Sequence, residues 1–219
     1  MTLQMRLNRT QRKRPAEPHF WLSRLEFSRG CSIFHVLMGA KFVFTLKSDA
    51  KRRQFPYKIL LAQQENETTN HILLKVLAYL LFFRERIEIE GKLHNENIPF
   101  SPDIVQLDYE LRPRLWVECG ECSINKLNKL AVKAPEAELW IIKRSEAEAQ
   151  HLLAAMAKEQ LRRNRYSVIG LDAEMFSEIS ELLRERNEIF WMSGQFDPPR
   201  LQFEFNGLWF DAPFTILKF

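Results

Sequence analysis

A chain of 219 residues, 46% hydrophobic and 27% charged, has room for one medium-sized globular domain with extensions, and this balance excludes a disordered chain. Its longest apolar run, Ile72 to Phe83 with Lys75 inside it, falls well short of the roughly 20 residues that cross a bilayer, so no membrane helix is predicted. The formal charge of +4 is unevenly placed: residues 1–37 hold seven of the 32 basic and two of the 28 acidic residues, which leaves 25 against 26, a net −1, from Met38 onward. Steering of nucleic acid by charge would come only from residues 1–37, and any such function of the body rests on a local site.

In chain order, residues 1–37 have no acidic residue before Glu17, no hydrophobic period and no uninterrupted apolar core of a secretory signal. They read as a basic, weakly ordered extension, or as translation from a start upstream of Met38; a basic tail on nucleic acid is the functional alternative. From Met38, MGAKFVFTLKS alternates as a strand and FPYKILLA follows as a second. ENETTNHILLKVLAYLLFF has the length and composition of a helix, capped by Asn66 or Thr68, and it is apolar almost all round, which implies burial on most sides. Its polar exceptions, Glu67, His71 and Lys75, are spaced i, i+4, i+8 and so form one stripe.

Past RERIEIEGKL and a loop, residues 102–108 and 113–119 read as a strand pair. SINKLNKLAVKAPEA carries a helix face of Leu127, Leu130, Ala131 and Ala134; ELWIIK is a strand, followed by a helix from Ser145 to about Arg163; YSVIGL and a helix from Asp172 to Arg184 repeat the alternation. IFWMSGQ, LQFEF and LWFDAPFTILKF read as closing strands, joined in part by an Asn206-Gly207 hairpin. The order predicts an α/β fold: a mixed sheet with helices on both faces. Its aromatic-rich strands FWMSG and GLWFDAPF could stack on bases, although strand aromatics more often fill a core. His94 and His151 read as surface residues.

Three cysteines are too few for a disulfide framework and suit a reducing cytoplasm. Cys119 and Cys122 form a C-x-x-C pair, but no second pair or clustered histidines complete four zinc ligands. A redox role would want the pair at a helix start after a strand, which is roughly met, yet a strand would bury Cys119.

The unusual feature is a pair of acids inside apolar strand sequence. Asp103 and Glu118 are placed so that a hairpin centred on Glu110 and Leu111 sets them directly opposite each other, on one face, with Cβ atoms roughly 4.5–5.5 Å apart. Two carboxylates that close repel unless a positive group lies between them. A hard divalent cation, Mg²⁺ or Mn²⁺, which takes oxygen ligands and keeps waters, is the natural candidate. The bland alternative is a pair of strand polars satisfied by backbone, Arg or Lys.

PDI followed by WVECG resembles the signature of the PD-(D/E)xK nuclease superfamily, and ETTNHILLKVLAY, PDI, LWVECG and the Lys-rich helix after it more closely resemble the YaeQ family. The resemblance spans most of 38–219 as a single domain and leaves out 1–37. It implies a restriction-endonuclease-like core with extra C-terminal strands. It further implies that Asp103 and Glu118 bind the metal, with the Cys119 carbonyl as a further oxygen, and that Glu67 is the acid of the first core helix. Where the signature has its lysine this chain has Gly120, small enough to let a lysine come from the next helix, Lys129 by first choice and then Lys126. Metal-assisted phosphodiester hydrolysis is the implied activity, with His71 or Lys75 near a phosphate. The alternative is a catalytically degenerate nuclease fold that binds or regulates. The intact Asp103, Glu118 and Glu67 set favours the first and the near-neutral body the second; neither partner preference nor oligomeric state follows from the residues.

Overall fold

A computed structural model describes residues 39–49, 55–93, 95 and 97–219. The basic stretch 1–37, Met38, Cys31 and His94 lie outside the described residues. The elements follow in the order β1 (Lys41–Ser48), β2 (Lys58–Ala62), α1 (Thr69–Leu81), β3 (Ile87–Ile89), β4 (Ile104–Leu107), β5 (Pro113–Cys119), α2 (Ile124–Lys133) and β6 (Glu138–Lys143). After them come α3 (Glu146–Lys158), β7 (Tyr166–Gly170), α4 (Ala173–Leu182), β8 (Arg186–Phe196), β9 (Pro199–Phe205), β10 (Leu208–Pro213) and β11 (Thr215–Lys218).

The strands make two mixed sheets where the sequence pattern suggests one: β10-β9-β8-β1-β2, and β11-β7-β6-β5-β4-β3. The division has a visible cause. The closing segment LWFDAPFTILKF splits at Phe214, so β10 completes the first sheet on β9 while β11 crosses to pair antiparallel with β7. Asn206 and Gly207 make the two-residue turn between β9 and β10 with φ of 50° and 90°, the left-handed pair a type I′ hairpin needs.

In the second sheet β5, β6 and β7 are parallel, each linked to the next by a helix, and β7 is buried at all five positions, as a strand covered on both faces must be. Helix α1 is apolar almost all round because both sheets touch it. Apart from Lys75, its residues Ile72 to Leu81 share one core with Phe44, Trp191 and Phe203 of the first sheet and with Leu115 and Val117 of the second. On the opposite face of the second sheet, α2 and α3 bury Leu127, Leu130 and Met156 against Trp116, Ile141 and Tyr166.

Helix α3 stops at Lys158, five residues short of the predicted end near Arg163. The Glu159 amide closes the last turn and Gln160 adopts φ 53°, which ends the helix and lets Leu161 fold back into the core. Among the described residues no helix is long and apolar enough to cross a membrane.

Candidate functional site

Thr68 caps α1 by accepting from the His71 amide at 3.3 Å, which fixes the first turn and with it the polar stripe. His71 Nε2 stands 2.9 Å from Asp103 Oδ1 and its Nδ1 3.5 Å from Glu67 Oε1. One turn on, Lys75 is only 2% exposed. Its ammonium contacts Glu67 Oε1, lies 2.5 Å from Glu90 Oε1 and 3.9 Å from Asp103 Oδ1. Burial works to lower the Lys75 pKa, but the bonds to Glu67 and Glu90 and the charge of Asp103 outweigh it and hold the group above its ordinary value. Glu67 Oε2 also accepts from the Gln64 amide at 3.1 Å, so this third acid serves as counter-ion to Lys75 on the Asp103 side of the site.

The hairpin register pairs Ile104 with Val117 and Val105 with Trp116, so Asp103 and Glu118 are the next facing positions. A bulge after Gln106 and an Asp108 carboxylate that accepts the Glu110 and Arg112 amides, each at 2.9 Å, tighten the connection. Although opposed in register, the two carboxylates have separate partners. Asp103 accepts the Cys119 amide at 2.7 Å through Oδ2 and turns its Oδ1 to His71 on α1. Glu118, 3% exposed, accepts Trp116 Nε1 at 2.6 Å and Lys126 Nζ of α2 at 2.7 Å. They still sense each other: burial raises the Glu118 pKa, Lys126 pulls it back, and the Asp103 charge adds to the rise.

Lys126 is therefore the lysine that reaches Glu118, in place of the first-choice Lys129. Lys126 lies in the first turn of α2, where Ser123 caps its amide beside the end of β5. Lys129 is a turn further from that strand end and exposed, and among the described residues it has no bond to either acid. Gly120 matters for its backbone as well as its size. At φ +67° it occupies the left-handed region, whereas a Cβ there would meet only Leu74 Cδ1 at an ordinary 3.4 Å.

A hollow of about 410 Å³ opens beside these groups, lined by Thr68, Asn70, His71, Gly120, Glu121 and Arg144. Burial lifts the Cys119 thiol well above its usual pKa and Cys122 to about 12, so neither is a thiolate at neutral pH. Trp191 and Phe203 stack within the core, while Trp209 stays exposed, and His151 is a surface residue. Sequence spacing misses Glu90, Trp116 as the donor to Glu118, and Lys143 at the end of β6. Glu90 and Lys143 reach the site through strand pairing, though a charge ending the apolar run ELWIIK is a local signal for the latter, whereas Trp116 sits two residues before Glu118 on the same strand face.

Among the described residues no three His, Cys, Asp or Glu side chains group to hold a metal by themselves. Asp103 and Glu118 are nonetheless hard oxygen donors, and each carboxylate oxygen has a second lone pair beyond the bond it already accepts. Two such ligands are what a Mg²⁺-type ion takes from a protein when water and substrate oxygens fill the rest of its shell.

Residues 41–192 match the family model described as YaeQ protein. A solved structure of YaeQ protein from Xanthomonas axonopodis pv. citri is similar at 20% identity and a TM-score of 0.58, covering 83% of this chain and 99% of that one. Another, of YaeQ protein from Pseudomonas syringae, is 12% identical with a TM-score of 0.61, covering 84% of this chain and 97% of its own. At these identities the likeness is one of fold: the mixed α/β architecture with its two sheets. A comparison with curated proteins finds no match.

Proposed function

The chain belongs to the YaeQ family, and on that premise we propose that it is a metal-dependent phosphodiester hydrolase on a restriction-endonuclease-like PD-(D/E)xK core, acting on nucleic acid. Asp103 and Glu118 would hold a Mg²⁺ or Mn²⁺ ion, with Glu67 as the third acid of the set and Lys126 as the assisting ammonium. The observation that carries this reading is the 2.7 Å contact of Lys126 Nζ with Glu118 Oε2, which puts a lysine beside an acid of the pair although the strand position after it is Gly120.

Such an ion, when bound, would lower the pKa of a water and polarise the phosphoryl oxygen. The chain's own residues do the rest. His71 and the Cys119 amide aim the Asp103 carboxylate, and Trp116 fixes that of Glu118. Lys126 orients the attacking water and offsets charge that develops on the phosphoryl oxygens; one preorganised donor of this kind is worth about 2.7–4 kcal/mol. Lys75 neutralises part of the charge of Glu67, Glu90 and Asp103 and so lets the acids lie close together.

The test is a cleavage screen over single-stranded, duplex and branched DNA and RNA with Mn²⁺. Metal-dependent products that disappear in Glu118→Gln support the reading, and equal cutting by the variant contradicts it. A second reading, a degenerate fold that binds without cutting, is favoured by the separate basic partner that each acid already has. It predicts oligonucleotide binding with no product in any arm of that screen.

A further inference from the structure

Lys143 ends β6 at the same end of the sheet and has no part in the chemistry above. Its side chain is 4% exposed, but the carboxylate against it belongs to Glu121, which is 90% exposed, and the two stand 3.5 Å apart. A buried ammonium is costly unless an anion holds it closely, and an exposed surface glutamate at the limit of hydrogen-bond range is a poor holder. Lys75, just as buried, shows the contrast with its tight contacts to Glu67 and Glu90.

The position of Lys143 ties it to the acids. Cys119 pairs with Ile142 and the Gly120 amide bonds to the Ile142 carbonyl at 2.9 Å, so Lys143 is the register neighbour of Gly120 on the next strand. Alternation from Ile141, the neighbour of Glu118, puts Lys143 on the Glu118 face. The Cys122 thiol, raised first by burial, feels Glu118, Lys126 and Lys143 together. Gly120 and Glu121 also line the 410 Å³ hollow beside His71 and Arg144, so the carboxylate against Lys143 belongs to a residue that faces this opening.

Building on the phosphodiester reading, we propose that Lys143 is a substrate-binding residue held in reserve by Glu121: a phosphate of the nucleic-acid strand displaces the Glu121 carboxylate and takes its place on the ammonium. The exchange swaps one oxyanion for another and needs no other group. The full chain is tested by anisotropy of a short labelled oligonucleotide, with Ca²⁺ in place of Mg²⁺ to hold cleavage off, and by titration with inorganic phosphate. Glu121→Gln tightens binding and Lys143→Met weakens it, each on the order of tenfold, the size of one charge-assisted hydrogen bond. The double variant behaves as Lys143→Met alone. An unchanged affinity in Glu121→Gln, or a gain that survives in the Lys143→Met background, overturns the inference.

If Lys143→Met does not fold, Glu121→Gln is judged against Glu159→Gln, an exposed control with the same change of charge, and an equal gain in both overturns it. Inorganic phosphate that binds with this dependence while the oligonucleotide does not bind supports the anion site and counts against the nuclease reading. Cleavage that persists regardless of both residues leaves that reading intact and removes this one.

Discussion

The two sheets handle charge in opposite ways. In the five-stranded sheet the interior is aromatic, with Trp191, Phe203 and Phe210 in a stack, and its ion pairs, Lys47–Glu188 and Arg200–Asp211, lie toward water. At the end of the six-stranded sheet and the start of α1, Glu67, Lys75, Glu118 and Lys143 are all buried. Burying ions is an inefficient way to stabilise a fold, since apolar groups of the same volume do as well or better. The first sheet is built for stability; the charged end of the second is what the proposed ion and substrate site would require.

Substitutions ordered by size sharpen that contrast. Phe203→Ala in the first sheet costs about 3–5 kcal/mol of unfolding free energy in urea, the usual loss for a buried aromatic, and leaves Mn²⁺ affinity unchanged. Lys75→Met costs a similar amount, about 3–5 kcal/mol, because Glu67, Glu90 and Asp103 lose their shared cation. The two variants separate by pH. Burial opposes the Lys75 charge, its carboxylates prevail, and the folded pKa lies above the unfolded 10.5. The stabilisation is therefore whole below 10.5 and is lost as pH rises through the higher folded value. Urea midpoints followed into that alkaline range fall more steeply for the wild type than for Lys75→Met.

Glu118→Gln has a smaller effect of the other sign. Burial and Asp103 raise the Glu118 pKa, so its charge costs stability at neutral pH, a cost relieved as pH falls through the folded value. Removing the charge leaves the melting temperature unchanged or about 2–4 °C higher, the equivalent of about 1 kcal/mol, while metal-dependent cleavage is lost. A melting temperature that drops by several degrees would make Glu118 structural. Smallest of all, Lys47→Ala at the surface of the first sheet shifts neither stability nor binding measurably.

Much of this was legible residue by residue. The alternation in KFVFTLKS, the all-round apolar α1 and the Asn206-Gly207 turn each name their element locally, and the D-to-E spacing about Glu110 and Leu111 predicts the register that faces Asp103 with Glu118. Pairing partners are not local. Nothing in LWFDAPFTILKF says that its halves join different sheets, and nothing in RIEIEG places Glu90 against a lysine 15 residues earlier. The choice between Lys126 and Lys129 likewise depends on where α2 begins relative to the end of β5. The helical stripe cannot decide it, because both flank the buried leucines.

The account rests on Asp103 and Glu118 sharing one divalent ion, and calorimetric titration of the full chain with Mn²⁺ tests this most directly. The prediction is a single site in the wild type that disappears in Asp103→Asn. The absence of binding heat in the wild type, or binding that survives Asp103→Asn unchanged, would contradict it.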